Sequence, residues 1–441
     1  SDRTGTPMSD KGTNLDPWYD SYADRTAGLS ASEVRALFAV ASRPEVVSLA
    51  GGMPYVSALP RELVTGAIDR VMADGGAMAM QYGSGQGTPA IREHIMQIMA
   101  MEGIRGSADD VVVTTGSQQA LDLVTRLFVN PGDVVLAESP SYVGALGVFK
   151  AYQADVVHVP MDEHGLVPEA LREAIATVAA RGGRIKFLYT IPNFHNPAGV
   201  TLTWARRVEI LEICRSAGIL VLEDNPYGLL YFDQPAPQAM RSIDDEGVIY
   251  LGSFSKTLAP GFRVGWALAP HAIREKLILA NESATLSPNS FGQFVITEYL
   301  DQADWRGQIE TFRDLYRERR DAMISALGEY LPSLTWNVPD GGFFVWVGLP
   351  PELDSKAMLP RAVKELVAYT PGTAFFADGD GRQNIRLSFC YPTPESIRTG
   401  VARLANVVNG ELDLLRTFSP ASLANPAARP QSVVVPPPNT N

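Results

Sequence analysis

Lys256 is the side chain whose sequence surroundings point most directly to chemistry. An apolar run, Val248-Ile249-Tyr250-Leu251, reads as a buried strand, and it breaks into a small hydroxyl-rich turn that holds this one lysine. A lysine amine sheltered from water has its charged form disfavoured, so it is free to condense with a carbonyl as a nucleophile. Ser253 and Ser255 offer two hydroxyl donors close by, and Arg263 offers a guanidinium fork, all suited to a phosphate. A carbonyl-capturing lysine beside phosphate donors points to pyridoxal 5'-phosphate (PLP).

The elements that must position such a group follow from the period of the chain. From Asp110 onward apolar strands alternate with helical patterns, as in a mostly parallel sheet covered on both faces. Val111–Thr114 reads as a strand, Gly116-Ser117 as a turn and Gln118–Phe128 as a helix. A helix N-terminus gathers free N–H groups and a positive dipole end, so Ser117 and Gln118 are phosphate-binding candidates; Ser117 as a simple cap is the other reading. Val134–Ala137 is a second strand and Ile185–Tyr189 a third. A fourth, Ile219–Leu222, runs into Glu223-Asp224, two carboxylates that alternation sends to opposite faces. Arg386 lies inside an apolar strand-like run, where an unpaired guanidinium is costly, so it must face an anion, either a ligand or a structural partner. The candidates that precede Arg386 in the chain gather at the C-terminal ends of strands, where open α/β sheets bind ligands.

The composition narrows the class of protein. A length of 441 residues suggests two lobes, and 46% hydrophobic with 20% charged residues describes a globular chain. The net charge of −12 argues against nucleic acid or an anionic membrane as a general partner. No apolar run approaches the ~20 residues of a spanning helix. The N-terminal stretch lacks the basic flank and apolar core of a secretory signal, so a cytoplasmic location is expected. Cys214 and Cys390 are too few for a disulfide framework, and no metal-ligand spacing occurs. The methionines of the helix around Met96–Met101 read as core packing. The expected division is a flexible arm over 1–30, a segment over 31–75 shared by the small domain and a dimer interface, a large cofactor-binding domain over 76–304, a small domain over 305–417 and a disordered tail over 418–441.

The run Ser253-Phe254-Ser255-Lys256-Thr257-Leu258-Ala259-Pro260-Gly261-Phe262-Arg263-Val264-Gly265-Trp266 resembles the PLP-lysine signature of fold-type I, class I/II aminotransferases. It is most similar to their 2-aminoadipate/kynurenine branch, over roughly residues 30 to 410. The resemblance implies an α/β fold with a large mostly parallel sheet domain, helices on both of its faces, and a smaller α+β domain. Residue by residue it implies that Asp224 and Tyr227, in a D-x-x-Y motif, serve the ring nitrogen and the phenolic oxygen of PLP. A carboxylate at that nitrogen keeps it protonated, which the electron sink requires. Asn196, in Asn196-Pro197-Ala198-Gly199, faces the same phenolic oxygen; His195 replaces the family's glutamine and is read as a polar surface residue. Tyr142 stacks on the ring, and Tyr82 reaches the phosphate of a neighbouring subunit, which implies a homodimer. It further implies that Gly52 and Arg386 meet the substrate α-carboxylate, that Asn196 is also among the substrate-binding residues, and that Arg35 either meets an acidic substrate side chain or is a solvated helix arginine. Ser388 stands where this branch often has asparagine.

Together these readings describe a PLP-dependent aminotransferase that moves the amino group of an L-amino acid to a 2-oxo acid, with Lys256 as the proton-moving base. The lysine, aspartate and arginine alone leave open a PLP-dependent lyase or decarboxylase on the same fold. They also leave open a non-catalytic regulator domain.

Overall fold

The computed structural model describes residues 16–418. Residues 1–15 of the expected arm and 419–441 of the expected tail lie outside the described residues. Residues 19–28 carry two short 3-10 turns, and Gly28 lies against Lys150.

After a two-residue strand β1 (Val47–Ser48), the chain builds one eight-stranded sheet from β2 (Val111–Thr114), β3 (Val134–Ser139), β4 (Asp155–Asp162), β5 (Gly165–Leu166), β6 (Ile185–Thr190), β7 (Leu220–Asp224), β8 (Val248–Ser253) and β9 (Gly265–Leu268). Their order across the sheet is β2-β9-β8-β7-β6-β3-β4-β5. The central pairings are parallel; β9 runs antiparallel to β2 and β8, and β5 antiparallel to β4. These strands read as continuous apolar runs because both faces are covered. Val134 and Leu136 of β3 enter one core cluster, while Val135 and Ala137 enter another on the opposite face.

The smaller sheet has the order β10-β11-β14-β13, from β10 (Thr335–Trp336), β11 (Phe344–Gly348), β13 (Thr370–Pro371) and β14 (Asn384–Ser388), all antiparallel; β12 (Val367–Ala368) pairs in parallel with β1. Its core gathers Phe343, Val345, Ile385 and Leu387 with Phe312 and Tyr316 of the helix Trp305–Tyr330 and Leu404 of the helix Pro394–Phe418.

Residues 31–75 divide between the two cores. The helical spacing of Val34, Leu37 and Ala41 predicts a helix over Leu29–Arg43; helix α1 (Glu33–Ala41) is shorter, and its Glu33 bonds the Thr373 hydroxyl at 2.7 Å and Lys356 at 3.1 Å. The sequence predicts a helix over Arg61–Met72; helix α2 (Arg61–Ala79) outruns that end, with a break in helical geometry at Gly75, and packs on Val295, Ile296 and Tyr299 beside the large sheet. Helix α3 (Pro89–Ala100) buries Met99, whereas Met101 beyond it is exposed. Cys214 is buried as expected of a small core residue.

Candidate active site

A cavity of about 770 Å³ opens at the C-terminal ends of the central strands. Ser30 to Arg35, at and before the start of α1, and helix α5 (Val143–Ala151) flank it, while Phe344 and Arg386 reach it from the smaller sheet. Arg35, Gly52, Ser117, Gln118, Tyr142, Asn196, Asp224, Tyr227, Ser253, Ser255, Lys256, Arg263 and Arg386 all line it. Tyr82 alone of the expected residues stands apart, 77% exposed.

Lys256 follows β8 in the turn, and its amine donates to the Gly52 carbonyl at 2.8 Å, 5.6 Å from the centre of the Phe343 ring. Burial, with the positive Arg386 and Arg263 nearby, pushes this amine down to about 8. An amine so shifted is partly neutral near physiological pH, as a nucleophile or base must be.

Asp224 ends β7 on the face it shares with Leu222, which packs with Tyr189 and Phe149. Its Oδ2 accepts the Tyr189 hydroxyl at 2.6 Å, while Oδ1 is buried without a partner. Burial pushes the carboxyl up to about 6, and the charge of Glu138 adds to the rise. Glu223 turns to the other face, as alternation predicts, and accepts the backbone N–H groups of Met240 at 2.8 Å and Arg241 at 2.9 Å. Tyr189 escaped the sequence reading. Only the sheet register, which sets Tyr189 opposite Leu222, brings the last residues of β6 beside those of β7.

At another part of the wall, helix α4 (Gly116–Phe128) begins without a side-chain cap on its first N–H groups. Gly116 has φ +73°, and a Cβ there would stand 2.3 Å from Arg263 Nη2. Gly265 lies so close to Gly116 and the Ser117 nitrogen that a side chain would collide with them, and its β-partner is Ser253. The uncapped helix start, both serines and Arg263 thereby converge, which is a built anion site. Ser253 Oγ already accepts the Ser255 N–H at 2.9 Å.

Arg386, in β14, donates from Nη1 to Asn196 Oδ1 at 2.8 Å and from Nη2 to the Ala50 carbonyl at 2.6 Å. Its guanidinium carbon lies 4.2 Å from the Phe344 ring centre and 4.9 Å from that of Phe375. Burial pushes it down to about 10, yet among the described residues no carboxylate is paired with it, and Nε is buried without a partner. Asn196 thus serves as its neutral partner inside the protein. Tyr142 donates to Gln118 Oε1 at 3.3 Å, and Tyr227 packs edge-on against Phe343 and Phe344. Burial pushes both tyrosine hydroxyls up, so they act as neutral donors. Ser388 Oγ lies 3.0 Å from Cys390 Sγ.

His195 is not a surface residue. It is fully buried, because its N–H bonds the Val200 carbonyl and its own carbonyl accepts from Gly199, winding the turn inward beneath Asn337 and Phe344 of the smaller lobe.

The donor set fits PLP. Asp224 Oδ1 is a buried acceptor in want of an N–H, the uncapped helix start wants an anion, and Arg386 Nε is a buried cationic donor in want of an acceptor. A protonated pyridine ring, a phosphate and a substrate carboxylate are the groups that complete them.

The chain matches the family described as Aminotransferase class I and II over residues 45–404. It is 41% identical over 399 residues to aromatic-amino-acid aminotransferase 1 of Thermococcus litoralis, a match covering 89% of this chain and 95% of that one. To the 2-aminoadipate transaminase of Thermus thermophilus it is 36% identical over 403 residues, 90% of this chain and 99% of the other. Among solved structures, the Pyrococcus horikoshii kynurenine aminotransferase in complex with PMP superposes with a TM-score of 0.86 at 38% identity, covering 91% of this chain and 100% of that one. The agreement in family pattern, in relatives along nearly the whole length and in fold, together with a cavity whose donors fit PLP, shows that this chain belongs to the PLP-dependent class I and II aminotransferases.

Proposed function

We propose that this enzyme moves the amino group of an L-amino acid to a 2-oxo acid such as 2-oxoglutarate, with Lys256 as the residue that holds PLP and moves the proton. The candidate donors are 2-aminoadipate, glutamate, and aromatic or branched-chain amino acids. The observation that carries this reading is one cavity in which the Lys256 amine stands with two buried atoms lacking partners, Asp224 Oδ1 and Arg386 Nε.

PLP, when bound, supplies the electron sink that stabilises negative charge at the substrate Cα. Asp224 would accept the ring N–H and keep it in place. Ser117, Gln118, Ser253, Ser255 and Arg263 would hold the phosphate, Tyr142 would cover the ring face, and Asn196 and Tyr227 would serve the phenolic oxygen. Arg386 and the Gly52 backbone hold the substrate α-carboxylate, which fixes the Cα–H bond in a productive direction. The Lys256 amine, partly neutral near pH 8, takes that proton and returns it.

Arg35 has no side-chain partner among the described residues and lines the same cavity, which supports a donor with an acidic side chain. The exposed Tyr82, beside the exposed Met78 and Met80, supports a homodimer in which Tyr82 completes the site of the other subunit. Both cysteines are free, in keeping with a reducing, cytoplasmic setting.

The test is a half-reaction. Each candidate amino acid is added to the PLP-loaded protein while the visible absorption of bound PLP is followed. Loss of that absorption, reversed by 2-oxoglutarate, is the expected result. Loss with release of carbon dioxide or an eliminated side chain, and no recovery, makes the enzyme a decarboxylase or lyase instead.

A further inference from the structure

The contacts of His195 run in two directions from the head of the turn Asn196-Pro197-Ala198-Gly199. Toward the turn, Nδ1 accepts the Ala198 N–H at 3.1 Å. A ring nitrogen that accepts carries no proton, so in the neutral imidazole the proton sits on Nε2. Away from the turn, Nε2 lies 3.1 Å from Oε1 of Glu138, off the axis of a straight hydrogen bond, so the attraction there is chiefly electrostatic. Glu138 is itself fixed at the end of β3: Oε1 accepts the Ile191 N–H at 2.9 Å and Oε2 the Thr190 hydroxyl at 3.0 Å. Imidazole and carboxylate are each only 1% exposed.

Neither group lines the cavity, yet the next residue does. Asn196 Oδ1 accepts a hydrogen bond from Arg386 Nη1, which leaves the amide nitrogen of Asn196 for other partners. We infer that His195 is a positioning residue of this active site: it pins the turn that carries Asn196 to Glu138 on the large sheet, and through Asn196 it sets where the Arg386 guanidinium stands. The inference rests on the PLP reading above. An apolar residue of the same size would fill the space but leave the Ala198 N–H bare and the Glu138 carboxylate without its neighbour. Glu138 also bears on Asp224, whose carboxyl it pushes in the same upward direction as burial. The pair therefore stands behind both the cofactor-facing and the substrate-facing groups.

Two substitutions separate the two contacts. In His195→Asn an amide remains near the place of Nδ1 and nothing remains near Glu138; in His195→Gln an amide reaches toward Glu138 and the Ala198 N–H is left bare. Each variant is expected to raise KM for the amino donor roughly tenfold, the scale of one lost hydrogen bond for His195→Gln and of one lost buried electrostatic contact for His195→Asn, with a smaller change in kcat. Each is also expected to shift the absorption maximum of bound PLP. Lower thermal stability with KM and absorption unchanged would mean mere packing and overturn the inference.

A second measurement reads the wild-type ring itself and needs only one folded variant, of His195 or of Glu138, to assign it. The chain has five histidines, so 15N-imidazole labelling of the PLP-free protein gives a small set of rings. A ring protonated at Nε2 and bare at Nδ1, absent from whichever variant folds or perturbed in Glu138→Gln, is expected; a His195 ring protonated at Nδ1 would overturn the inference. Failure of the wild-type half-reaction would sink the proposed function, and is distinct from a wild type that transaminates beside His195 variants that do so equally well.

Discussion

At Lys256 the burial that prepares the amine also weakens the fold. The folded protein holds the amine near 8 against an ordinary value of 10.5, so between these values the unfolded chain binds a proton that the folded one has lost. Stability must therefore rise with pH across that window, and the penalty is full below about 8. Lys256→Met is accordingly expected to melt a few degrees above wild type at pH 7, both free of PLP, with the gap closing as pH passes from about 8 to 10.5. Calorimetry of the two proteins checks this; a gap independent of pH would place the effect outside the amine. Arg386 offers a second prediction. Its planar fork reaches Asn196 and Ala50 together while lying near two aromatic rings, a two-point geometry that an ammonium does not reproduce. Arg386→Lys should lower kcat/KM about a hundredfold, mostly through KM, as expected when a charged, two-point hold worth ~3 kcal/mol is lost. Steady-state kinetics with the best donor reads the split. Residue types at this scale were legible: Lys256, Asp224 and Arg386 stood out as charged groups in apolar runs. Tyr189 was not, because a tyrosine closing a buried strand carries no local mark of the aspartate it will meet.

Among the elements, the start of α4 has the strictest requirements. Its first N–H groups are uncapped, Gly116 has a left-handed φ, and Arg263 lies where a side chain would be. Gly116→Ala combines backbone strain with a collision at the guanidinium. It should weaken PLP binding roughly tenfold or more, measured by equilibrium dialysis, and lower kcat little once the enzyme is saturated. Unchanged affinity would mean that Arg263 has no part in holding the phosphate. Strand positions were largely readable, since period and apolar runs announce them. Ends were less so: β3 continues to Ser139 and α2 continues to Ala79, beyond where the residues alone placed them. Tertiary packing on Val295 and Tyr299 extends α2 through a glycine-rich stretch whose propensity argues for stopping.

For the whole molecule, the cavity exists because two lobes meet. The large sheet supplies Asp224 and Lys256, the smaller one supplies Phe344 and Arg386, and α1 brings Arg35 while tied by Glu33 to Thr373 and Lys356. Tyr82 lies outside this closure, which leads to a prediction about subunits. Mixed dimers of Lys256→Ala with Tyr82→Phe should contain one site with an intact lysine and an intact tyrosine from the other chain. PLP affinity in those mixtures should exceed that of the Tyr82→Phe protein alone; no gain would remove Tyr82 from the neighbouring site. By itself the sequence determined the alternation of strands and helices, the faces of Glu223 and Asp224, and the residue types able to hold PLP, because these depend on local period and on the chemistry of single side chains. Only the tertiary structure decided that His195 is buried against Glu138, that Tyr189 serves Asp224, and that Asn196 rather than a carboxylate meets Arg386. Such partners lie tens to hundreds of residues apart in the chain, and contacts between distant segments are fixed by sheet order and lobe closure, which no local pattern records.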